Sequence, residues 1–295
     1  RGYSVRDLVM NKRLTHGYEE ICFLILFGYL PKKEELERFC GVLKEMYELP
    51  YDFLETNILR TPAKNLMNKI QHAVLALYSY DDEPDDIDEY KTLLKGVNLI
   101  AKMPSIVCYE YMSKEHYFNR KSLVLHYPLK EYSIAENFLY MLREDRKFTE
   151  KEANLLDVLL MLHADHGGGN NSTFTNVVIS STNTDIYSTI CGSIGSLKGP
   201  RHGGANLKAS EMMDEVIAQI GYSGDREAVK AVIRRITGKE LYDKSGLVYG
   251  FGHAVYTISD PRAELLRDYC ETVAREQDKM KEFEFYRLFE ECVKE

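Results

Sequence analysis

Two glycine-flanked histidines are the residues of this sequence best suited to chemistry. His202 lies in the segment Gly-Pro-Arg-His-Gly-Gly-Ala-Asn at residues 199–206, and His253 follows Gly250-Phe251-Gly252. Glycine permits unusual backbone conformations and a close approach of the backbone to a ligand. Histidine can donate, accept or carry a proton near neutral pH. The pattern favours an active site built from turns between helices, although two structural histidines in tight turns would produce the same spacing.

A third histidine segment follows a predicted helix and runs into glycines. It contains His163, Asp165 and His166 and ends at Asn170. Together with His202, these side chains could supply metal ligands. The segment lacks the glutamate base of the HExxH zinc motif, so we predict no metal site, with a metal-dependent hydrolase as the alternative. The sequence also contains no GxSxG nucleophile motif and no Walker-type phosphate loop.

Two further segments have residue types that suit ligand binding. The glycine-rich run at residues 246–252 includes Leu247 and Val248 and could present backbone groups to a flat heterocycle. Asp260-Pro261 predicts a helix start with Asp260 as the N-cap, which places Arg262 in the first turn. A guanidinium binds a carboxylate through two parallel hydrogen bonds. The alternative for Arg262 is an ordinary surface arginine.

Composition limits the classes of protein and partner. The chain has 295 residues, of which 44% are hydrophobic and 28% charged, as is usual for a globular protein. The net charge of −8 argues against nucleic acid or an anionic membrane as a partner. The six cysteines lack metal-ligand spacing and indicate reduced thiols in a cytoplasmic protein. No signal peptide or apolar run of membrane-spanning length is present.

The periodicity predicts an all-α fold. Capping boxes start helices at Ser133 and Thr149. Pro31 and Thr61-Pro62 are predicted to mark two further helix starts. No period-two alternation and no βαβ rhythm competes with this interpretation. The main helical patterns cover residues 19–30, 34–49, 62–79, 87–112, 153–162, 185–197, 207–220 and 226–238, followed by a helix from Pro261.

Taken together, these segments resemble the citrate synthase family. The matching stretches stand in the family's order and at its spacings, and the opening residues also look like its N-terminal region, so the resemblance covers essentially the whole chain. The matching stretches are residues 162–166 with Asn170, 199–206, 250–256 and 260–262, with 1–3 and 27–31 near the start.

The resemblance implies an all-α homodimer with a large helical domain, here residues 1–204, and a smaller mobile domain, here 205–295. It implies an acyltransferase of the tricarboxylic acid cycle that condenses oxaloacetate with acetyl-CoA and water to give citrate and CoA. The CoA thioester is a substrate, and no metal or other cofactor is implied. The expected partners are oxaloacetate or citrate, an acyl-CoA and a second copy of the chain, in the cytoplasm.

The resemblance also assigns roles to particular residues. His202 would bind the thioester carbonyl and stabilise the enol or enolate, and His253 would polarise the oxaloacetate carbonyl. The other implied substrate-binding residues are His166, Arg262, Asn170 and His163. The residues implied to face the CoA adenine are Leu247, Val248, Gly250 and Gly252.

Two departures from the family pattern qualify these expectations. The family's catalytic aspartate lies in a later motif for which we find no match after His253, and Thr257 stands where many members have a basic residue near the CoA phosphates. We therefore expect a chain trimmed at both ends whose own turnover is impaired. The alternatives are a 2-methylcitrate synthase that uses propionyl-CoA and a non-catalytic homologue that kept the scaffold.

Overall fold

The chain forms helices connected by turns and loops. The computed structural model describes residues 2–12, 16–164, 167, 169–252 and 260–295, and no β-strand occurs in these ranges. The all-α prediction is therefore confirmed. The chain divides into two compact units, Arg1–Lys198 and Gly199–Glu295. The domain boundary after residue 204 that we drew from the sequence stays a prediction.

The first unit contains the longer series of helices. Its α-helices are α1 Val5–Met10, α2 Gly17–Phe27, α3 Lys33–Glu45, α4 Leu66–Ala76, α5 Glu89–Asn119, α6 Ile134–Leu142, α7 Glu150–His163, α8 Asn171–Ser180 and α9 Ile186–Leu197. A π-helix, Leu54–Leu59, precedes α4, and a 3₁₀ turn, Leu77–Tyr80, follows it. In the second unit, the α-helices are α10 Ala205–Ile220, α11 Arg226–Thr237, α12 Pro261–Glu276 and α13 Met280–Lys294.

Local capping chemistry explains most helix starts. The hydroxyls of Ser133 and Thr149 accept from the backbone N–H three residues later, and Glu136 and Glu152 complete both capping boxes. Both predicted boxes are confirmed. Helix α2 ends at Gly28, whose left-handed φ of +87° lets its N–H bond the carbonyl of Leu24.

Two predicted proline starts are wrong. Pro31 precedes Lys32, the N-cap of α3, and therefore lies outside the helix. Thr61 does not cap α4, because its hydroxyl donates to the Asn57 carbonyl at 3.0 Å and accepts from Lys69 Nζ at 2.7 Å. Asn65 caps α4 instead, with its side chain accepting from the backbone N–H of Asn68.

Helix α5 forms the centre of the first unit. It packs against α3, α4, α6, α9 and the π-helix, and it continues past Pro104. One apolar cluster forms around Phe53, Val74 and Ile106, and a second forms around Phe23 and Ala101. Burial of these side chains, each worth about 1.5–3 kcal/mol, stabilises the fold that carries α7 and α8.

The second unit has its own apolar core, on which the glycine-rich loop rests. Helices α10, α11 and α13 contribute Met212, Val229 and Phe289 to this core. Val248 and Phe251 of the loop pack against the same cluster. The loop is therefore positioned by side chains on both sides of Gly250.

Candidate active site

The predicted site residues occur in both units, and each unit is described by itself. The first unit carries the segment from His163 to Asn170, and the second carries the His202 turn, the glycine-rich loop and Arg262. His253 lies outside the described residues, as do His166 and Asp165. Their assigned roles stay predictions.

Helix α7, which carries His163 as its last residue, is anchored to the start of α2. The fully buried carboxylate of Asp157 accepts from Gly17 N–H at 3.1 Å, from Tyr18 N–H at 2.8 Å and from Lys12 Nζ at 2.7 Å. A Cβ on Gly17 would lie only 2.5 Å from the Met161 sulfur. Glycine at this position therefore leaves room for the Met161 and Asp157 side chains, and the bonds of Asp157 hold α7 to the start of α2.

His163 lies at the exposed end of α7 with a defined orientation. Its Nδ1 is 2.6 Å from the carbonyl oxygen of Leu159, one helical turn earlier. Because a carbonyl can only accept, Nδ1 carries a proton and donates it to Leu159, so in the neutral tautomer Nε2 is the acceptor. The geometry suits a residue that accepts a hydrogen bond at the border of a site.

Asn170 has a structural role at the start of α8. Its Oδ1 accepts from the backbone N–H of Thr173 at 2.9 Å, and its Nδ2 donates to the Gly167 carbonyl and the Thr173 hydroxyl, both at 2.8 Å. The side chain thus caps the helix and ties it to the glycine segment after His163. We interpret Asn170 as a residue that shapes this segment.

His202 lies in a run of tight turns that leads directly into α10. Its backbone N–H and that of Gly204 both bond the Gly199 carbonyl, at 3.0 and 3.1 Å. The His202 carbonyl accepts in turn from Ala205 N–H at 3.1 Å, at the first residue of α10. These bonds fix the backbone of His202, so its half-buried side chain is presented from a rigid turn.

The glycine-rich loop combines exposed and anchored residues. Leu247 is 58% exposed, whereas Val248 packs against the core of the unit. Gly250 and Gly252 have φ angles of +88° and +82°, which favour glycine strongly. A Cβ on Gly250 would also contact the Ala209 side chain at 3.5 Å, so this loop lies against α10, the helix that follows His202.

Arg262 lies in the first turn of α12, as predicted, and Asp260 is the predicted N-cap. Asp260 Oδ1 accepts from Arg262 N–H at 2.9 Å. The Arg262 guanidinium also binds the same carboxylate, with Nη2 at 2.6 Å from Oδ2 and Nε at 3.0 Å from Oδ1. The Asp260 carboxylate therefore fixes both the backbone and the guanidinium of Arg262.

Lys208 is a cation beside the glycine-rich loop that no sequence motif marks. Its Nζ lies 5.5 Å from the centre of the Tyr242 ring and 3.6 Å from Glu211 Oε2. Tyr242 in turn makes an edge contact with Tyr249 of the loop. Lys208 belongs to no recognisable motif, and only the packing of α10 on the loop brings it to this position.

The alternative of a metal centre receives no support from the described side chains. Among the residues that the structure describes, no group of three or more histidine, cysteine, aspartate or glutamate side chains could hold a metal ion. Asp165 and His166, two of the four ligands considered, lie outside this set.

None of the helices in the described ranges has both the length and the apolar composition that a membrane span requires.

Comparison with known proteins identifies the family. The family profile "Citrate synthase, C-terminal domain" matches residues 1–295. The citrate synthase of Deinococcus radiodurans is 35% identical over 278 residues, which are 94% of this chain and 68% of that protein. The 2-methylcitrate synthase of Shewanella oneidensis is 31% identical over 274 residues, 93% of this chain and 66% of that protein.

Solved structures give the same result. Citrate synthase from Pyrobaculum aerophilum superposes with a TM-score of 0.80 at 30% identity, covering 99% of this chain and 69% of that one. The ternary complex of carboxymethyl coenzyme A and oxaloacetate with the Thermoplasma acidophilum enzyme has a TM-score of 0.81 at 25% identity, covering 98% and 70%. Citrate synthases need no cofactor beyond the CoA substrate. By profile, sequence and structure, this chain belongs to the citrate synthase family.

Proposed function

We propose that the protein condenses oxaloacetate with acetyl-CoA and hydrolyses the resulting thioester to citrate and CoA. The observation that carries this proposal is the likeness, over 98% of the chain, to an enzyme whose structure holds oxaloacetate and carboxymethyl coenzyme A. The chain presents the side-chain types that the chemistry needs, namely a histidine on a rigid turn, an arginine for a carboxylate and a glycine-rich loop.

His202 is the proposed donor to the thioester carbonyl. Removing an α-proton from a thioester places negative charge on that carbonyl oxygen, and a preorganised donor stabilises this charge most effectively. The backbone bonds to the Gly199 carbonyl hold the His202 turn in place before substrate arrives. Because the turn is already formed, little reorganisation is required in the transition state.

Arg262 is the proposed anchor for a carboxylate of oxaloacetate, with His166 and His253 as its expected partners. The guanidinium is already held in a two-bond geometry by Asp260. A substrate carboxylate can take over this geometry while Asp260 keeps its bond to the backbone N–H of Arg262. His163, in the first unit, is a further proposed substrate-binding residue.

The CoA thioester is proposed to contact the glycine-rich loop and Lys208. The exposed Leu247 and the backbone around Gly250 suit a flat heterocycle, and Lys208 provides positive charge beside the same loop. A cation here would replace the positive charge that many family members have at the position of Thr257. Acetyl-CoA is the proposed acyl donor, and propionyl-CoA is the second candidate because of the similarity to the Shewanella 2-methylcitrate synthase.

Helix α8 supports the proposal that two copies of the chain associate. None of its residues is buried, and Phe174 and Val177 are 66% and 58% exposed. An exposed apolar face of this kind marks a contact with another protein surface. We therefore propose a homodimer contact on α8.

The cytoplasm is the proposed location of the protein. All six cysteines are unpaired thiols, which agrees with a reducing compartment.

Calorimetric titration of the full polypeptide with oxaloacetate tests the substrate assignment. We expect binding that Arg262→Ala and His253→Ala each abolish. Arg275→Ala is the matched control, because Arg275 lies on the same helix, is exposed and pairs with Glu271. Absence of oxaloacetate binding by the folded wild-type chain, or full binding by Arg262→Ala, would refute the assignment.

A second titration separates the role of His202 from that of Arg262. With oxaloacetate present, carboxymethyl coenzyme A should bind the wild-type chain, and His202→Ala should weaken this binding while oxaloacetate binding remains. Loss of both ligands in a folded His202→Ala variant would show that His202 supports the structure of the site. The affinities for acetyl-CoA and propionyl-CoA in the same titration then decide between the two acyl donors without requiring turnover.

A further inference from the structure

Lys102 is a buried lysine whose charge has no carboxylate partner. It lies on α5, is 8% exposed, and its Nζ donates to the Met46 carbonyl at 2.9 Å and to Asn98 Oδ1 at 2.6 Å. No carboxylate oxygen lies within 4.0 Å of Nζ in the described part of the chain. Both acceptors are neutral, so the ammonium charge is solvated only by dipoles.

Other shielded lysines of the same unit do have carboxylate partners. Lys12 pairs with Asp157 at 2.7 Å and Lys69 with Glu110 at 3.7 Å, and both lysine side chains are at most 6% exposed. Buried charges in proteins are normally paired in this way, because desolvating an isolated charge is costly. Lys102 departs from this rule, and its surroundings offer a physical reason.

A cavity of about 410 Å³ opens beside Lys102. Its walls include the apolar side chains of Met46, Leu77 and Leu94.

The other charged residues of the cavity are mostly held in ion pairs. Asp82 and Glu83 line it and are exposed, so they lie where it meets solvent, and Glu83 pairs with Lys91 at 2.6 Å. A second lining cation, Lys95, lies 3.6 Å from Asp81. The cavity thus has a buried cation without an ion-pair partner inside, apolar walls and the exposed carboxylate of Asp82 at its mouth.

This charge arrangement selects among small ligands. A simple carboxylate would match Lys102 but would meet the negative mouth, and a simple amine would match the mouth but not the interior. A ligand with both charges on neighbouring atoms satisfies both ends, and an apolar side chain fits the walls. We propose that this cavity binds a free α-amino acid with an apolar side chain, its carboxylate on Lys102 and its ammonium group towards Asp82.

The titration behaviour of Lys102 agrees with such a ligand. Burial lowers the pKa of Lys102 to about 8, and the charge of Glu48 compensates for this desolvation only in part. A bound carboxylate supplies that compensation and favours the ammonium form. The cavity residues are separate from the catalytic segments, so occupancy can be measured without turnover.

The cavity also contacts an element that leads to the catalytic turn. Tyr187, at the start of α9, lines it and donates to Asp81 Oδ2 at 2.8 Å. Helix α9 runs from this contact towards residues 199–204. An amino acid in the cavity would therefore stabilise the N-terminal end of α9.

Calorimetric titration of the full polypeptide with L-leucine is the direct test. We expect saturable binding and an increase in Tm. N-acetyl-L-leucine lacks the ammonium group and L-leucine methyl ester lacks the carboxylate, and each should bind at least about tenfold more weakly, because each loses one charge-assisted contact. Equal binding of all three probes, or no binding of L-leucine, would overturn the proposal.

Variants locate the binding. Lys102→Met should weaken L-leucine binding by at least about tenfold, and Asp82→Asn should weaken it by a smaller factor because Asp82 is exposed. Lys33→Met, which removes an exposed lysine on α3, is the matched control and should bind as the wild type does. Circular dichroism establishes that each variant is folded. Unchanged affinity in a folded Lys102→Met variant would overturn the assignment to this cavity.

Discussion

Asp260 binds Arg262 twice, once through the backbone and once through the side chain. Asp260 Oδ1 accepts from the Arg262 backbone N–H at 2.9 Å, and the carboxylate holds the guanidinium with Nη2 at 2.6 Å from Oδ2. One carboxylate therefore caps α12 and also pairs with the guanidinium that is proposed to bind oxaloacetate. Substrate binding at Arg262 must compete with this internal pair.

Asp260→Asn separates these two functions. Asparagine caps a helix as well as aspartate does, so Tm should change little. The loss of the carboxylate charge frees the guanidinium, and oxaloacetate should bind several-fold more tightly, by up to about tenfold. Calorimetric titration measures the affinity. Asp260→Ala, which loses the cap as well, should cost about 1 kcal/mol of stability. Weaker oxaloacetate binding by Asp260→Asn would mean that Asp260 orients Arg262 for the substrate.

Gly17→Ala should destabilise the first unit. A Cβ there would lie 2.5 Å from the Met161 sulfur and 2.7 Å from Asp157 Oδ2, so the Met161 side chain and the hydrogen-bonded Asp157 carboxylate would have to shift. Overpacking of this kind costs about 1–3 kcal/mol. Gly41→Ala is the control, because Gly41 lies within α3 and its Cβ would meet nothing within 4 Å. It should stabilise by about 0.5–1 kcal/mol. Urea unfolding measures both changes, and equal stability of the two variants would contradict the prediction.

Glu19 should make stability depend on pH. Its Oε1 accepts from Ile134 N–H at 2.8 Å, and Oε2 is buried without a partner in the described structure. Burial, opposed by the Ile134 bond and reinforced by Asp157, raises the pKa of Glu19 from 4.5 to about 7. The folded state therefore holds a proton that the unfolded state releases, and its stabilising contribution is lost as the pH rises from about 4.5 through about 7.

Glu19→Gln tests this pH dependence. Glutamine mimics the protonated carboxyl, so the free energy of unfolding of the variant should fall much less across this pH window. Above the window, it should be larger than that of the wild type. The gain should be on the order of 3 kcal/mol, the cost of ionising a group with such a pKa. Urea unfolding at several pH values measures the effect. Glu37→Gln changes an exposed carboxyl on α3 and should leave the wild-type pH profile intact. A Glu19→Gln profile parallel to that of the wild type would contradict the prediction.

Val177→Glu should dissociate the proposed homodimer. A charge on the apolar face of α8 would have to be desolvated in the contact between copies. Sedimentation velocity should therefore detect monomers at concentrations at which the wild type is dimeric. Tyr51→Glu, at a 93% exposed position outside α8, should remain dimeric. A dimeric Val177→Glu variant would place the contact elsewhere, and a monomeric wild type would refute the proposed homodimer.

The sequence was most informative where structure depends on neighbouring residues. The capping boxes at Ser133 and Thr149 and the cap at Asp260 were predictable, because each requires two residues within one turn. The start of α4 was not, because Thr61 is bound by Lys69, whose side chain comes from a later turn of the chain. A local pattern cannot show which hydroxyl such a lysine will engage.

Contacts between distant residues could not be predicted. Gly17 gave no signal, because its close approach to Met161 depends on how α2 packs on α7. The helix position of Arg262 was predictable, but its pairing with Asp260 required side-chain geometry. For the same reason, Lys208 and Lys102 were indistinguishable in the sequence from solvated lysines.

If two copies associate through α8 as proposed, protein concentration becomes a variable of the proposed active site. Within one chain α8 has ten residues and no buried side chain, so its own folding free energy is small. Asn170 caps this helix and also holds the Gly167 carbonyl, beside the histidine segment. Dilution that separates two copies would leave α8 supported within the chain mainly by its packing on α9, and we expect it to loosen this cap. Affinity for oxaloacetate should then fall on dilution while most of the chain remains folded, because self-association and the shape of the site depend on the same helix.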